Sequence, residues 1–139
     1  MINTNFDMIP YLQYRGNCEE ALLFYKDILD GRVEIVSRYD NPALNAPDNY
    51  RNKILHAVFF FGKHQLFASD SMPKNLNEPF HSNISLSLGF RDEELAKPFF
   101  EKLSAGGEIH IPFKKQFWGD WHGNFTDRYG IRWMINSTK

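Results

Sequence analysis

Phe24–Gly31, FYKDILDG, and Phe99–Gly106, FFEKLSAG, are the two stretches on which the fold of this sequence turns. Each opens on an aromatic pair, places an apolar residue (Ile28 or Leu103) four positions on, and closes with glycine. Around the first, Ala21, Leu22, Phe24, Tyr25, Ile28 and Leu29 recur at helical spacing and give one face to bury. Asn17 stands as the N-cap with Glu20 as its capping-box partner, and Gly31 as the stop. In the second copy, Asp92 caps a helix that runs through Ala105 and stops at Gly106-Gly107. Pro98 falls inside it and removes a hydrogen bond, so this helix is expected to start late or to kink.

Working outward, strands flank both helices. Ile9–Tyr14 precedes the first, and Arg32–Tyr39, Lys53–Phe61 and His64–Ser69 follow it, the last two joined by a turn at Gly62-Lys63. Asn83–Phe90 precedes the second helix, and another strand begins at Ile109–Ile111. Gln116–Asn136 then supplies a strand, the tight turn Asp127–Gly130 and a final strand. Strand, helix and three strands therefore occur twice. This predicts an α+β fold of two βαβββ modules, about 8–72 and about 80–137, in a single domain spanning 1–139. The loops Asp40–Asn52 and Ser71–His81 are rich in Pro and Asn, and loops of such length are often lids or parts of a binding mouth.

Charge and composition exclude several classes of function. Sixteen basic residues face 17 acidic ones, with no dense basic cluster, so neither nucleic acid nor an anionic membrane is an expected partner. No apolar run approaches the roughly 20 residues of a membrane span, and the N-terminus lacks the pattern of a signal peptide. The single cysteine, Cys18, forbids an internal disulfide and suits a reducing compartment, so a cytoplasmic protein is expected. Cys18 also falls in the first turn of its helix, where the dipole could lower its pKa.

Chemistry concentrates in Gln116–Asn136, QFWGDWHGNFTDRYGIRWMIN, which holds all three tryptophans, Trp118, Trp121 and Trp133, beside Asp120 and His122, with Gly119 and Gly123 loosening the backbone. Aromatic walls with a few fixed polar groups suit a pocket for a small molecule. The same residues could instead fill a core, with Asp120 capping a turn. His56 lies in the apolar strand Ile54-Leu55-His56-Ala57-Val58 and points either into a cleft, as a hydrogen-bonding or acid/base group, or into the core. Together with Asp70 and Asp120 it could form a polar cluster beside Phe117 and Trp118, unless the two aspartates cap turns. The five histidines show no HxH or HxxxH spacing, and no GxSxG nucleophile elbow is present.

A set of motifs spread over nearly the whole chain resembles a known superfamily. They are Pro10-Tyr11-Leu12, Gly16–Ala21, Phe24-Tyr25, His56-Ala57, Ser69-Asp70, Phe117–Asp120, Asp127–Gly130 and Trp133–Asn136. In this order they are similar to the PhnB-like branch of the vicinal-oxygen-chelate superfamily, which includes glyoxalase I, bleomycin-resistance proteins and extradiol dioxygenases. The resemblance implies a curved mixed sheet with the helices outside, a mouth closed by loops or a second subunit, and a homodimer. The demethylubiquinone methyltransferase label often given to that branch has no support here, because no glycine-rich loop follows a strand. Metal-dependent members place His, Glu or Gln on the first and last strands of their modules. Those positions fall here at Pro10, Asn83 and Met134, which are not competent ligands, so no metal and no cofactor are expected. The expected function is binding of a small apolar or aromatic molecule, with sequestration of a toxic compound as one form. The ligand site is expected from His56, Phe67, Asp70, Phe117, Trp118 and Asp120, with His56 the best candidate for any catalytic role. The alternative is a metal-dependent lyase, isomerase or dioxygenase with ligands drawn from His56, Gln13, Gln65, His81 and Asn136.

Overall fold

The computed structural model describes residues 7–72 and 84–138. The chain divides into two compact units, Met1–Asn77 and Glu78–Lys139, each a four-stranded mixed sheet with one helix. Among the described residues no helix is long and apolar enough to cross a membrane.

The first unit runs β1 (Tyr11–Tyr14), α1 (Cys18–Leu29), β2 (Arg32–Arg38), β3 (Ile54–Phe61) and β4 (His64–Asp70). Its sheet has the order β1-β4-β3-β2, with β1 parallel to β4 and the other pairs antiparallel. Helix α1 packs on β2, β3 and β4 and buries Cys18, Ala21, Leu22 and Tyr25. Tyr25 meets Phe59 with ring centroids 6.3 Å apart. Side chains of that size contribute roughly 1.5–3 kcal/mol each when fully buried, which outweighs the modest helix propensity of the segment.

Both ends of α1 differ from the sequence reading. The Asn17 side chain makes no capping bond. The cap comes from Asp70 at the end of β4, whose Oδ1 accepts from the backbone N–H of Gly16 (2.8 Å) and Cys18 (2.9 Å). A carboxylate satisfies the orphan N–H groups and also favours the positive end of the helix dipole, so it displaces the shorter-range amide. At the other end, Asp30 takes the left-handed conformation (φ 53°) expected of the glycine. Gly31 is required by space: a Cβ there would lie 2.5 Å from the Phe59 ring and 2.7 Å from the Phe60 carbonyl oxygen.

The loop after β2 is pinned down along its length. Two short 3₁₀ turns, Pro42–Leu44 and Asp48–Tyr50, fold it over its own small core of Tyr39, Ala46 and Tyr50, with Leu44, Leu55 and Met72 packed against them. The Tyr39 hydroxyl donates to the Asp70 carbonyl at 2.7 Å, and the Tyr50 hydroxyl donates to that of Ser71. Most of the second expected loop, His81 and Asn83 lie outside the described residues.

The second unit runs β5 (Leu86–Phe90), α2 (Glu93–Ser104), β6 (Glu108–Lys115), β7 (Trp121–Thr126) and β8 (Arg132–Ser137), with sheet order β5-β8-β7-β6 and β5 parallel to β8. Asp92 caps α2 as expected, accepting from Glu94 N at 2.9 Å. The helix does not start late: it begins at Glu93 and runs through Pro98, which sits exposed in its middle. It buries Ala96, Phe100 and Leu103, and Phe100 meets Phe125 edge to face at 5.2 Å. Gly123 tightens this packing instead of loosening the chain, since a Cβ there would lie 2.6 Å from the Phe100 ring.

The three tryptophans take three roles. Trp133 is core, 1% exposed, and its Nε1 donates to Asp127 Oδ2 at 2.8 Å. Trp121 is half-buried against Phe113, with the Lys97 ammonium 5.0 Å from its ring centre. Trp118 is largely exposed.

Candidate functional site

In each unit the strands alternate between a helix-covered face and an opposite, open face, as period-two geometry requires. On the open face of the first sheet, β1 and β4 run side by side with Tyr11 opposite Phe67, and Val58 of β3 opposite Phe67 in turn. His56, one pleat along β3 from Val58, therefore lands beside both rings. The His56–Phe67 centroids are 4.9 Å apart at 77°, Tyr11–Phe67 5.8 Å at 82°, and Tyr11–His56 5.6 Å at 40°. The Tyr11 hydroxyl lies 3.0 Å from His56 Nδ1. One residue pair further along, Ser69 Oγ donates to Gln13 Oε1 at 2.9 Å. His56 thus points to the open face, half-buried, and not into the core.

Of the residues predicted from sequence in this unit, His56 and Phe67 are brought together and Asp70 is not. Asp70 is 1% exposed on the helix side, with Oδ1 shared by Gly16 N and Cys18 N and Oδ2 accepting from Ile54 N at 2.9 Å. Both oxygens serve the backbone, the turn-capping alternative in its fullest form. Cys18 lies beside it, fully buried, and burial first and the Asp70 carboxylate second push its thiol well above the ordinary range. The dipole argument for a lowered pKa is therefore overturned: desolvation of a thiolate outweighs a partial charge. Tyr11 is the member of this face that sequence reading missed. Its alternation with Leu12 in β1 was the available signal, but only the parallel pairing with β4 says which ring it meets.

In the second unit, Phe117, Trp118 and Asp120 sit together on the exposed turn between β6 and β7. Phe117 is 97% and Trp118 55% exposed, in an edge-to-face pair with centroids 4.9 Å apart. The turn is closed by Gln116 N donating to the Asp120 carbonyl at 2.8 Å. Within this unit they form a protruding knob, not a wall.

A groove of about 510 Å³ flanks β2, lined by Ile35, Ser37, Arg38, Asn41, Leu44 and Leu55 among others. Its cation is engaged: Arg38 forms a two-pronged pair with Glu19 at 2.9 and 3.0 Å, which holds the Glu19 carboxyl below the usual carboxylate range.

The metal that the superfamily implies does not fit the described positions. Pro10 precedes β1 and engages the sheet through its carbonyl, which accepts from Phe67 N at 2.9 Å, and Met134 offers a thioether. Among the described residues, no three of His, Cys, Asp and Glu converge as a ligand set. Of the alternative donors, Gln13 is bonded to Ser69, His56 to Tyr11, and Asn136 to His122 and Ser87.

Comparison with known proteins agrees with this architecture. A family model described as 3-demethylubiquinone-9 3-methyltransferase matches residues 6–136. The chain is 34% identical to protein PA1353 from Pseudomonas aeruginosa, whose crystal structure superposes with a TM-score of 0.82 over 96% of this chain and 98% of that one. A PhnB protein from Bacillus cereus gives 27% identity and a TM-score of 0.80 over 95% and 99% of the two chains. Protein YjdN of Escherichia coli (strain K12) is 29% identical over 94% of each chain. The fold alone extends to the fosfomycin resistance protein FosX from Mesorhizobium loti, at 12% identity and a TM-score of 0.63 over 100% of this chain and 95% of that one. The match over residues 6–136 places this chain in the family described as 3-demethylubiquinone-9 3-methyltransferase, to which it is joined by its likeness to the PhnB protein, and its strand–helix–three-strand units have the fold of a glyoxalase/bleomycin resistance protein/dioxygenase family enzyme.

Proposed function

We propose that this protein binds a small aromatic molecule carrying a hydrogen-bonding group, as a cytoplasmic homodimer, with the ring seated on the open face of the first sheet. The observation that carries the reading is the Tyr11–His56–Phe67 trio. Rings held at steep angles to one another present both edges and faces to a guest, the arrangement aromatic pairs favour. With the Tyr11 phenol donating to Nδ1, the His56 proton sits on Nε2 and becomes a donor to the ligand. Gln13, held by the buried Ser69 hydroxyl, adds a polar group at the rim. The dimer is supported by apolar surface left bare in a single copy: Ile109 and Ile111 near the start of β6 are 49% and 40% exposed, and Phe117 and Trp118 are exposed on the turn beyond its end.

The test is a titration with catechol and 4-nitrophenol, read by the NMR signals of the His56, Phe67 and Tyr11 rings. Saturable shifts at these three rings are expected, weakened about tenfold by Phe67→Ala, as loss of one aromatic contact implies. Shifts confined to other residues, or an undiminished affinity in the variant, would sink the reading.

A further inference from the structure

The open face of the second sheet carries a chain of hydrogen bonds that crosses three strands. Ser87 on β5, Asn136 on β8 and His122 and Asn124 on β7 are its members. Asn136 Nδ2 donates to Ser87 Oγ at 3.0 Å, and Asn136 Oδ1 lies 2.7 Å from His122 Nδ1. Asn124 Nδ2 lies 3.0 Å from His122 Nε2. An amide oxygen facing Nδ1 requires the proton there, which leaves Nε2 as the acceptor of the Asn124 amide. His122 is thereby a neutral spacer that fixes the orientation of both asparagines.

Three donors are left over, beside the Asn124 carbonyl oxygen. Asn136 retains one N–H, Asn124 retains one N–H, and Ser87 retains its O–H, since its oxygen already accepts. On the edge strand, Lys114 stands opposite His122 in register, so its ammonium belongs to the same face. Arg132 lies further along, opposite Thr126. Two carboxylates flank the row: Asp120, exposed on the turn that leads into β7, and Glu108, also opposite Thr126 and 4.0 Å from His110, whose other nitrogen is bonded to Thr126. Thr126 is two residues from Asn124 and four from His122 along β7, roughly 7 and 13 Å at strand rise, so Glu108 stands nearer the Asn124 end of the row than the His122 and Asn136 end. Met134 stands in register between Ser87 and Asn124 and gives the row an apolar floor.

We infer that this row is a subsite for a small organic anion, a carboxylate or phosphoryl group held by the Asn124, Asn136 and Ser87 donors and by Lys114, with its apolar body on Met134. Oriented neutral donors beside one cation are what such oxyanions need, and bonds to a charged acceptor are the stronger kind. The inference stands on the second unit alone and does not depend on the aromatic site of the first.

The full-length protein would be titrated with benzoate, phenyl phosphate and inorganic phosphate, following the side-chain amide signals of Asn124 and Asn136 and the ring nitrogens of His122. Saturable shifts at both amides are expected, with His122 in its Nδ1–H form. Preference between benzoate and phenyl phosphate tells which head group is held, and inorganic phosphate alone binds more weakly because it leaves Met134 uncovered. Lys114→Gln, on an exposed position, is expected to weaken binding about tenfold, the loss of one charge-assisted bond. Lys97→Gln, on α2 at the other face of the sheet, is expected to leave it unchanged. Amides that do not move with any of the three probes overturn the inference. So does equal weakening by both lysine variants, because that outcome reports net charge and not a site.

Discussion

The Asp127 carboxylate binds three donors at once: Tyr129 N at 2.9 Å and Ile131 N at 3.0 Å on one oxygen, the Trp133 indole at 2.8 Å on the other. It is 3% exposed. In Asp127→Asn one N–H₂ must face a donor, so a buried bond is lost and a buried group left unpaired. A loss of about 2–3 kcal/mol is expected, seen as a lower urea midpoint at unchanged slope. Tyr50 behaves differently because its neutral form is the buried one. Burial first, and the Asp70 carboxylate second, push its phenol from the ordinary value of 10 up to about 12. Tyr39 shifts in the same direction for the same two reasons. The unfolded chain therefore releases these protons first. The stabilising effect of Tyr50 is complete below pH about 10 and is lost as the pH rises toward 12. Tyr50→Phe should flatten that alkaline decline, measured by circular dichroism against the tyrosinate absorbance.

At the scale of elements, Pro98 is the informative case. It leaves the Glu94 carbonyl without its helical partner, yet α2 runs from Glu93 to Ser104 because Ala96, Phe100 and Leu103 are locked into the core. Tertiary packing wins over propensity. Pro98→Ala should raise stability by about 1–2 kcal/mol, the restored helix preference less the entropy regained by the unfolded chain, and thermal unfolding would measure it. The repeat around Phe24 and Phe99 was legible because helix periodicity and capping are written within a dozen residues. Asp92 could be read as a cap for that reason. Asp70 could not: its partners Gly16, Cys18 and Ile54 lie 54, 52 and 16 residues away in sequence, and only the strand pairing brings them together. His56 and Phe67 were both picked from sequence, but their adjacency follows from the register of β3 on β4, which no local pattern encodes. The same holds for Tyr11 and for the Asn124–His122–Asn136 row.

For the whole molecule, the knob at Phe117 and Trp118 is the feature that a proposed second copy would have to cover. The double variant Phe117→Ala, Trp118→Ala should leave the fold intact, within about 0.5 kcal/mol, because exposed side chains contribute little to it. By light scattering it should shift the mass toward the monomer; an unchanged dimer would place the interface elsewhere. The Asp70 cap bears on something else, the order in which the chain is made. A ribosome that has just released Cys18 must polymerise 52 more residues before the carboxylate that fastens the start of α1 exists. Until then the helix is a marginal, frayed segment. Nascent chains arrested before Asp70 should be cut by protease within Cys18–Leu29, while those extended past Ser71 should resist. The amino-terminal helix of this protein is thus among the last pieces of its own unit to mature, and chaperones that scan emerging polypeptides meet it in its unfastened form.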